Sequence, residues 1–470
     1  MQQMQHQFKN RIKKYKINVK CIIINQYTLK KKPKYYFCFV SIKKLMNLIT
    51  ELLERNMLQD IMPGTEEQLN KEMTSGYVGF DPTADSLHVG NLVPITLLMR
   101  LQRAGHKPYA LVGGATGMIG DPSGKSQERN LLDMTSILHN CDCIRRQLGK
   151  FIDFTASVPN AAVMVNNYDW FKEFSFLDFI RDIGKHISVN YMMAKDSVKN
   201  RLETGMSFTE FTYQLIQGYD FYHLNKANNV RLQMGGADQW GNIVTGTELI
   251  RRKGGSDAFA FTCKLITKSD GSKFGKSESG NVWLDRNKTS PYQFYQFWMK
   301  MPDADAAKMA LVFSFKPVAE LKAMIAEHET APHLRKLQKM LADEMTVMVH
   351  NEDDLSFAKQ ASEILFGQSS IDVLRSLNEQ QLLEVMEGVP QVTGDKDSLS
   401  GGYDLVTLLA DKSVFTSKGE AKKMLQNGGI SINKEKVTAL DFKVKEDHLL
   451  NGKYLLVQKG KKDYTLAIFS

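Results

Sequence analysis

The sequence predicts an α/β fold: a parallel sheet carrying helices, then an α-helical portion, then a small α+β portion. Three observations predict it. Strand, helix and strand patterns follow one another from Ser75 to Gly114 at the spacing of a βαβ unit. Helix and strand patterns keep alternating to about Phe261. From Pro317 to about Glu387 the pattern turns helical and polar-faced, ahead of a compact tail of short strands.

Each element has its own signals. Met46 opens "MNLITELLERNMLQDIMPGTEEQL", an amphipathic helix and turn. "SGYVGFDP", ending at Pro82, reads as a short buried strand stopped by Asp-Pro. "SLHVGNLVPITLLMRLQRAG" is an apolar helix closed by Gly105. Asn91 is its natural N-cap, and Pro94 falls in the first turn, where a missing N–H costs little. "HKPYALVGG" supplies a second strand, Lys107 to Gly114. A βαβ unit sets its loops at the carboxyl edge of the sheet, the usual place for a nucleotide. Further on, "VAELKAMIAEHE" and "LRKLQKMLADEMTVMVH" read as helices, and residues 389–401, rich in Gly, Ser and Asp, as a linker. The tail, 402–470, combines the short helix "KGEAKKMLQNG" with strand-like "ISINKEKV", "KYLLVQKG" and "DYTLAIF". No internal repeat is found.

Bulk properties narrow the class. A length of 470 residues suggests two or three domains, and 43% hydrophobic content suffices for real cores. No apolar run approaches the roughly 18 residues that a membrane-spanning helix needs. The five cysteines are scattered, and Cys141 and Cys143 form a C-x-C pair without a second pair, which argues against zinc; no metal ligand is assigned. A reduced, cytoplasmic protein fits this usage. The formal net charge of +9 is misleading, because residues 1–45 hold twelve basic side chains and no acidic one, leaving −3 for the remainder. Three readings of that basic extension stand: a stretch outside the natural product, which is preferred, a basic RNA-binding tail, or an organelle presequence.

Two stretches look like phosphate loops and miss. In "SDGSKFGKSESG" only three residues separate Gly271 from Gly275, where the nucleoside-triphosphate loop needs four; "GDPSGKS", Gly120 to Ser126, is a second near miss. His88 and Asn91, three residues apart at the start of the first helix, can address one point above its amino end, where free N–H groups and partial positive charge favour an anion. Thr83 can add a hydroxyl. Taken singly, a cap and a surface histidine explain that pair as well. Tyr213, Gln217 and Asp220 lie at i, i+4 and i+7, one face of a helix whose apolar neighbours suggest that it is covered.

Taken together these phrases resemble a known family. "PTADSLHVGN" is similar to the His-Ile-Gly-His signature of class I aminoacyl-tRNA synthetases, and "KFGKS" to their Lys-Met-Ser-Lys-Ser signature, in the right order about 180 residues apart. "GFDPTADSLHVGN", "LVGGATGMIGDPSGK", "NNYDW", "GMSFTEFTYQLIQGYDF" and "GADQWGN" resemble tyrosyl-tRNA synthetases of the bacterial type, from about Met46 to Ser470. The resemblance implies a Rossmann-like catalytic domain over 46–265 with a dimer-forming insertion. It further implies a signature lysine loop and α-helical anticodon-side domain over 266–388, and an S-four-type RNA-binding domain over 402–470.

It also implies roles. Lys273, Lys276 and Ser277 would stabilise departing pyrophosphate from one side, Lys125 and Arg129 from another, and Thr83, His88 and Asn91 would hold the nucleotide's phosphates and ribose, with Gly79 beside the ATP. Such phosphoryl chemistry needs positioned charge rather than a protein nucleophile. Tyr213 and Gln217, with Asp121 near, would bind the substrate's α-amino group; Asp220 and Tyr77 would bind the phenol hydroxyl, which explains tyrosine over phenylalanine, a choice for which this family is itself the known example. Asp238 would hold the ribose and Gln239 the tyrosine carboxylate, with Gln233 and Asn167 close by and Trp240 packing. Two departures stand out: Asn91 replaces the signature's second histidine, and Val78 stands where some relatives have a ribose-binding cysteine. Lys418, Lys422 and Lys423, with Lys434 and Lys436, would form a modest RNA-binding face. The implied activity is a cytoplasmic tyrosine–tRNA ligase, a homodimer using L-tyrosine, ATP with Mg2+ as counter-ion, and tRNA(Tyr). The alternatives are a tryptophan-loading sister and a retired synthetase fold serving as an RNA-binding protein.

Overall fold

The main sheet has the strand order β1-β6-β5-β2-β3-β4. In chain order these are β1 (Leu58–Ile61), β2 (Ser75–Phe80), β3 (Lys107–Val112), β4 (Val163–Asn166), β5 (Val230–Gly236) and β6 (Phe259–Cys263). The computed structural model describes residues 47–470 apart from 124–130, 203–204, 272–273, 278–279, 367–370, 387–388 and 461–462. All neighbouring strands run parallel except β1, which closes the edge antiparallel to β6. The chain therefore winds outward from β2 through β3 to β4, then returns to the other side of β2 as β5. That reversal opens a crevice at the carboxyl ends of β2 and β5, where ligands of open α/β sheets bind.

The strand–helix–strand unit forms as expected. Its helix runs Leu92–Arg103 and ends at Gly105, whose φ of +88° suits the left-handed turn that glycine adopts without strain. Gly76 in β2 lets this helix lie close, since a Cβ there would stand 3.0 Å from Leu101. Strand β3 stops at Val112 rather than Gly114. A Cβ on Gly113 would meet the Thr116 hydroxyl at 2.2 Å and the Asp81 carboxylate at 2.4 Å, so the backbone leaves the ladder to pass beside them.

Two expectations change. The helical portion begins before Pro317: helices Pro291–Met299 and Asp303–Phe313 precede Val318–Thr330. The first of these, "PYQFYQFWM", buries Tyr292, Phe294, Tyr295 and Trp298, so it has too little polar face to show a helical period. The expected linker over 389–401 is not one. Gln391–Gly394 is strand β9, paired parallel with β15 (Asp463–Phe469) at the edge of a five-stranded sheet, and a 3-10 turn follows at Lys396–Leu399. Its glycines and acids mark a strand edge and a turn, which composition alone does not separate from a tether.

The remaining strands of that sheet are β11 (Ile430–Ile432), β12 (Glu435–Val437) and β14 (Tyr454–Lys459). β11 and β12 form a two-residue hairpin through Asn433 and Lys434, both at positive φ as the twist of such a turn demands. A shared core ties this sheet to the helical portion: Tyr292, Leu374, Leu377 and Leu382 pack with Tyr454, Leu456 and Leu466. The Tyr454 hydroxyl also donates to Glu379 at 2.6 Å.

Candidate active site

The crevice between β2 and β5 holds a cavity of about 500 Å³, in the size range of small-ligand sites. The structure brings Tyr77, Gly79, Thr83, His88, Asn91, Asp121, Tyr213, Gln217, Asp220, Asp238 and Gln239 to its wall, with Val78 and Gln233 beside them. Lys125, Arg129 and Lys273 lie outside the described residues. Lys276 and Ser277 are described as backbone, the two-residue strand β7 paired with β8 (Gly280–Asn281). Trp240 does not line the cavity.

One end of the cavity is apolar around two polar groups. Asp220, on the long helix Phe208–Asn228, is 1% exposed, and its two carboxylate oxygens accept from Trp170 Nε1 at 2.9 Å and Asn167 Nδ2 at 3.0 Å. Burial pushes this carboxyl up to about 8, against the pull of those two N–H donors. Tyr77, 1% exposed on β2, has a hydroxyl with no partner among the described residues, and burial followed by the nearby Asp220 charge raises its phenol well above the usual range. Gln217 Oε1 and Gln233 Oε1 are likewise buried and unpartnered. Buried oxygens without partners are rare in folded proteins, and three of them converging beside the Asp220 carboxylate suit a ligand that carries its own polar groups.

Sequence reasoning missed the frame behind these groups. Asn167, fully buried, accepts from the Ala115 N–H and donates to both Asp220 and the Thr116 hydroxyl. Thr116 donates in turn to Asp81 at 2.7 Å, and Tyr213 donates to the other Asp81 oxygen at 2.9 Å. One hydrogen-bonded chain thus links Asp220, Asn167, Thr116, Asp81 and Tyr213 across β2, β3, β4 and the long helix. Asp81 was readable only as the end of a strand, and Trp170 only as part of "NNYDW". Their roles require the register of three neighbouring strands. Farther along the wall, Gln239 donates to Asp121 at 2.7 Å, and the Ser123 N–H holds the other Asp121 oxygen at 2.9 Å.

At the opposite end, the expected simple cap by Asn91 is replaced by a reciprocal one. Asn91 occupies the cap position of the helix, but its side-chain oxygen accepts from the His88 N–H at 3.0 Å, while His88 Nδ1 accepts from the Gly90 N–H at 3.0 Å. The pair closes a 3-10 turn over Val89–Asn91 and fixes both side chains at the cavity's rim. Among the described residues, no three His, Cys, Asp or Glu side chains converge as a metal site.

The family model described as tRNA synthetases class I (W and Y) matches residues 69–367. The chain belongs to that family. A second model, a tyrosine–tRNA ligase SYY-like C-terminal domain, matches residues 381–467 and so includes β9 in the small domain. Among its relatives, a protein of Bacteroides thetaiotaomicron named tyrosine–tRNA ligase is 60% identical over 428 residues, which is 90% of this chain and all of that one. One of the same name from Flavobacterium johnsoniae is 59% identical over 426 residues, 89% of this chain and 99% of that one. The C-terminally truncated mitochondrial tyrosyl-tRNA synthetase of Aspergillus nidulans superposes with a TM-score of 0.60 at 28% identity, over 68% of this chain and 94% of that one. The Archaeoglobus fulgidus tyrosyl-tRNA synthetase complexed with L-tyrosine shares the fold, with a TM-score of 0.51 at 15% identity over 67% of this chain and 99% of that one. In this class I synthetase His88 and Asn91 lie in the 3-10 turn and helix start that follow β2, and Lys276 and Ser277 lie in β7, beyond β6.

Proposed function

We propose that the chain is a tyrosine–tRNA ligase. The observation that carries this reading is the pairing of Asp220 with the unpartnered Tyr77 hydroxyl in the apolar end of the cavity. A phenol placed there donates to the carboxylate and accepts from Tyr77. An indole ring lacks that oxygen, and phenylalanine leaves the buried Tyr77 hydroxyl without a partner and Asp220 without a third donor. Gln217, Asp121 and Tyr213, the last oriented by Asp81, receive the α-ammonium group. Gln239 faces the carboxylate of the amino acid, and Asp238 the ribose.

In the first step a tyrosine carboxylate oxygen bonds to the α-phosphorus of ATP, and the bond to the β-phosphate oxygen breaks. Negative charge builds on the departing pyrophosphate, where His88, Thr83 and the amino end of helix Leu92–Arg103 hold it with Lys273, Lys276, Ser277, Lys125 and Arg129. Mg2+ accompanies ATP as counter-ion, without an assigned protein ligand set. In the second step a ribose hydroxyl of the terminal adenosine of tRNA attacks the acyl carbonyl and AMP leaves. The exposed Lys418, Lys422 and Lys423 on helix Lys418–Gln426 are the RNA contacts of the small domain. Lys434 instead lies over the Tyr464 ring, 4.5 Å from its centroid, and belongs less to that face.

We also infer a homodimer acting in the cytosol, where aminoacylation serves translation. Between β4 and β5 the chain leaves Phe176, Leu177, Ile180, Val189, Met193 and Phe208 exposed, more apolar surface than one connection of a monomer normally shows. The function is tested by exchange of labelled pyrophosphate into ATP. Tyrosine is expected to support exchange, while tryptophan and phenylalanine do not; exchange driven by tryptophan, or by none of the three, refutes the reading.

A further inference from the structure

We propose that Phe274 is a positioning residue for adenylate formation, seating the backbone of the second-signature loop through a ring held in an aromatic box. The inference rests on the reaction proposed above. Phe274 stands among Gly, Ser, Lys and Glu, and such a loop needs no aromatic to be a solvated turn. Yet Phe274 is 8% exposed. Its ring stacks on Phe313 with centroids 5.4 Å apart and planes at 25°, meets Phe297 nearly edge-on at 5.5 Å, and lies 5.8 Å from Trp298. Aromatic pairs at these separations and tilts attract beyond the area they bury.

The chain just after the ring is fixed from the other side. Gly275 has φ +92°, and a Cβ there would stand 2.9 Å from the Gly90 nitrogen, inside the first signature. The Gly275 carbonyl accepts from Val282, the Val282 carbonyl accepts from Val89, and Leu284 donates to Leu87, so a small patch of extended backbone joins the two signatures. Lys276 follows at once, its backbone paired with Asn281.

The box is itself braced against the helix that carries His88 and Asn91 at its amino end. Arg100 of that helix, 1% exposed, donates to the carbonyls of Val312 and Ser314, on either side of Phe313. Arg55 donates to those of Leu311 and Ser314. Both guanidiniums share the Glu51 carboxylate. The two phosphate-facing signatures are therefore referred to one anchor, the carboxyl end of helix Asp303–Phe313. Displacements of about 1 Å at a charge-positioning group can cost two orders of magnitude in rate, which gives such bracing a purpose.

The test is the tyrosine-dependent exchange reaction of the full chain, as wild type, Phe274→Ala and Phe274→Leu. Phe274→Ala is expected to lower the exchange kcat by about tenfold or more with the tyrosine KM changed by less than about twofold, because the phenol end of the cavity is built from β2 and the long helix. Phe274→Leu, which refills part of the box, is expected to recover most of that rate. A Phe274→Ala enzyme with wild-type kcat, a tyrosine KM that rises in step with the loss, or no recovery in Phe274→Leu overturns the proposal. Should Phe274→Ala not fold, Phe297→Leu on the box's partly exposed wall must show the same kcat-only loss, and wild-type kinetics there overturn it too. A wild type silent with tyrosine refutes the function itself, and the role of Phe274 falls with it.

Discussion

At the scale of single residues, the proposed selectivity for tyrosine rests on a few buried atoms with hydrogen-bonding capacity to spare. Asp220 is held ionisable but reluctant: burial raises its carboxyl to about 8, and the Trp170 and Asn167 donors oppose that. A phenol hydroxyl adds a third donor. Tyr77 supplies the complementary one, so Tyr77→Phe is expected to narrow tyrosine-over-phenylalanine discrimination by about 1 kcal/mol, roughly fivefold, as one neutral hydrogen bond is lost. The ratio of kcat/KM for the two amino acids in the exchange reaction measures it, and an unchanged ratio removes Tyr77 from the specificity set. Trp170 is itself kept in place by stacking on His223 at 4.5 Å, so the aromatic behind the carboxylate is rigid rather than incidental.

At the scale of elements, the ends of helices do much of the positioning. The carboxyl end of Asp303–Phe313 takes two buried arginines. Helix Lys336–Val349 ends instead on His350, which is turned edge-on to Phe294 at 5.1 Å, with Nε2 buried and without a partner among the described residues. Burial, and then Arg286 and Lys150, push this imidazole down to about 4 from its ordinary 6.5. The folded protein thus holds His350 neutral while the unfolded chain takes up a proton below pH 6.5. Stability from this group is complete above pH 6.5 and is lost as pH falls toward 4. Relative to His350→Gln, which cannot protonate, the wild type is expected to lose about 2.5 kcal/mol between pH 7 and 4.5. Urea unfolding of both proteins at the two pH values checks this; parallel losses contradict the assignment.

At the scale of the whole molecule, the sheet reversal, the helical portion and the small domain are joined by continuous packing. Helix Pro291–Met299 has Tyr292 in the core shared with β14 and β15, and Phe297 and Trp298 against the loop of the second signature. The apolar connection between β4 and β5 remains uncovered, with Leu177 76% and Phe208 67% exposed. If it is the face between two copies, Leu177→Asp is expected to halve the mass measured by light scattering, since a charge buried in an apolar interface costs several kcal/mol. A wild type that is already monomeric contradicts the dimer.

The order of elements, the βαβ unit and the grouping of Tyr213, Gln217 and Asp220 on one helix face were legible in the sequence, because helical and strand periods and the special needs of Gly, Pro and Asn act over a few residues. The two signatures were legible for the same reason, each being a short local motif. Asp81, Thr116 and Trp170 were not, nor were the partners of Asn167, since these contacts span tens of residues and are set only by strand register and the direction of winding. The strand at Gln391–Gly394 and the buried helix Pro291–Met299 escaped because one is defined by its neighbour β15 and the other shows little polar face. Local chemistry determined which groups the chain offers. Tertiary packing alone decided which of them meet, because burial and long-range hydrogen bonding exist only once the sheet has closed around them.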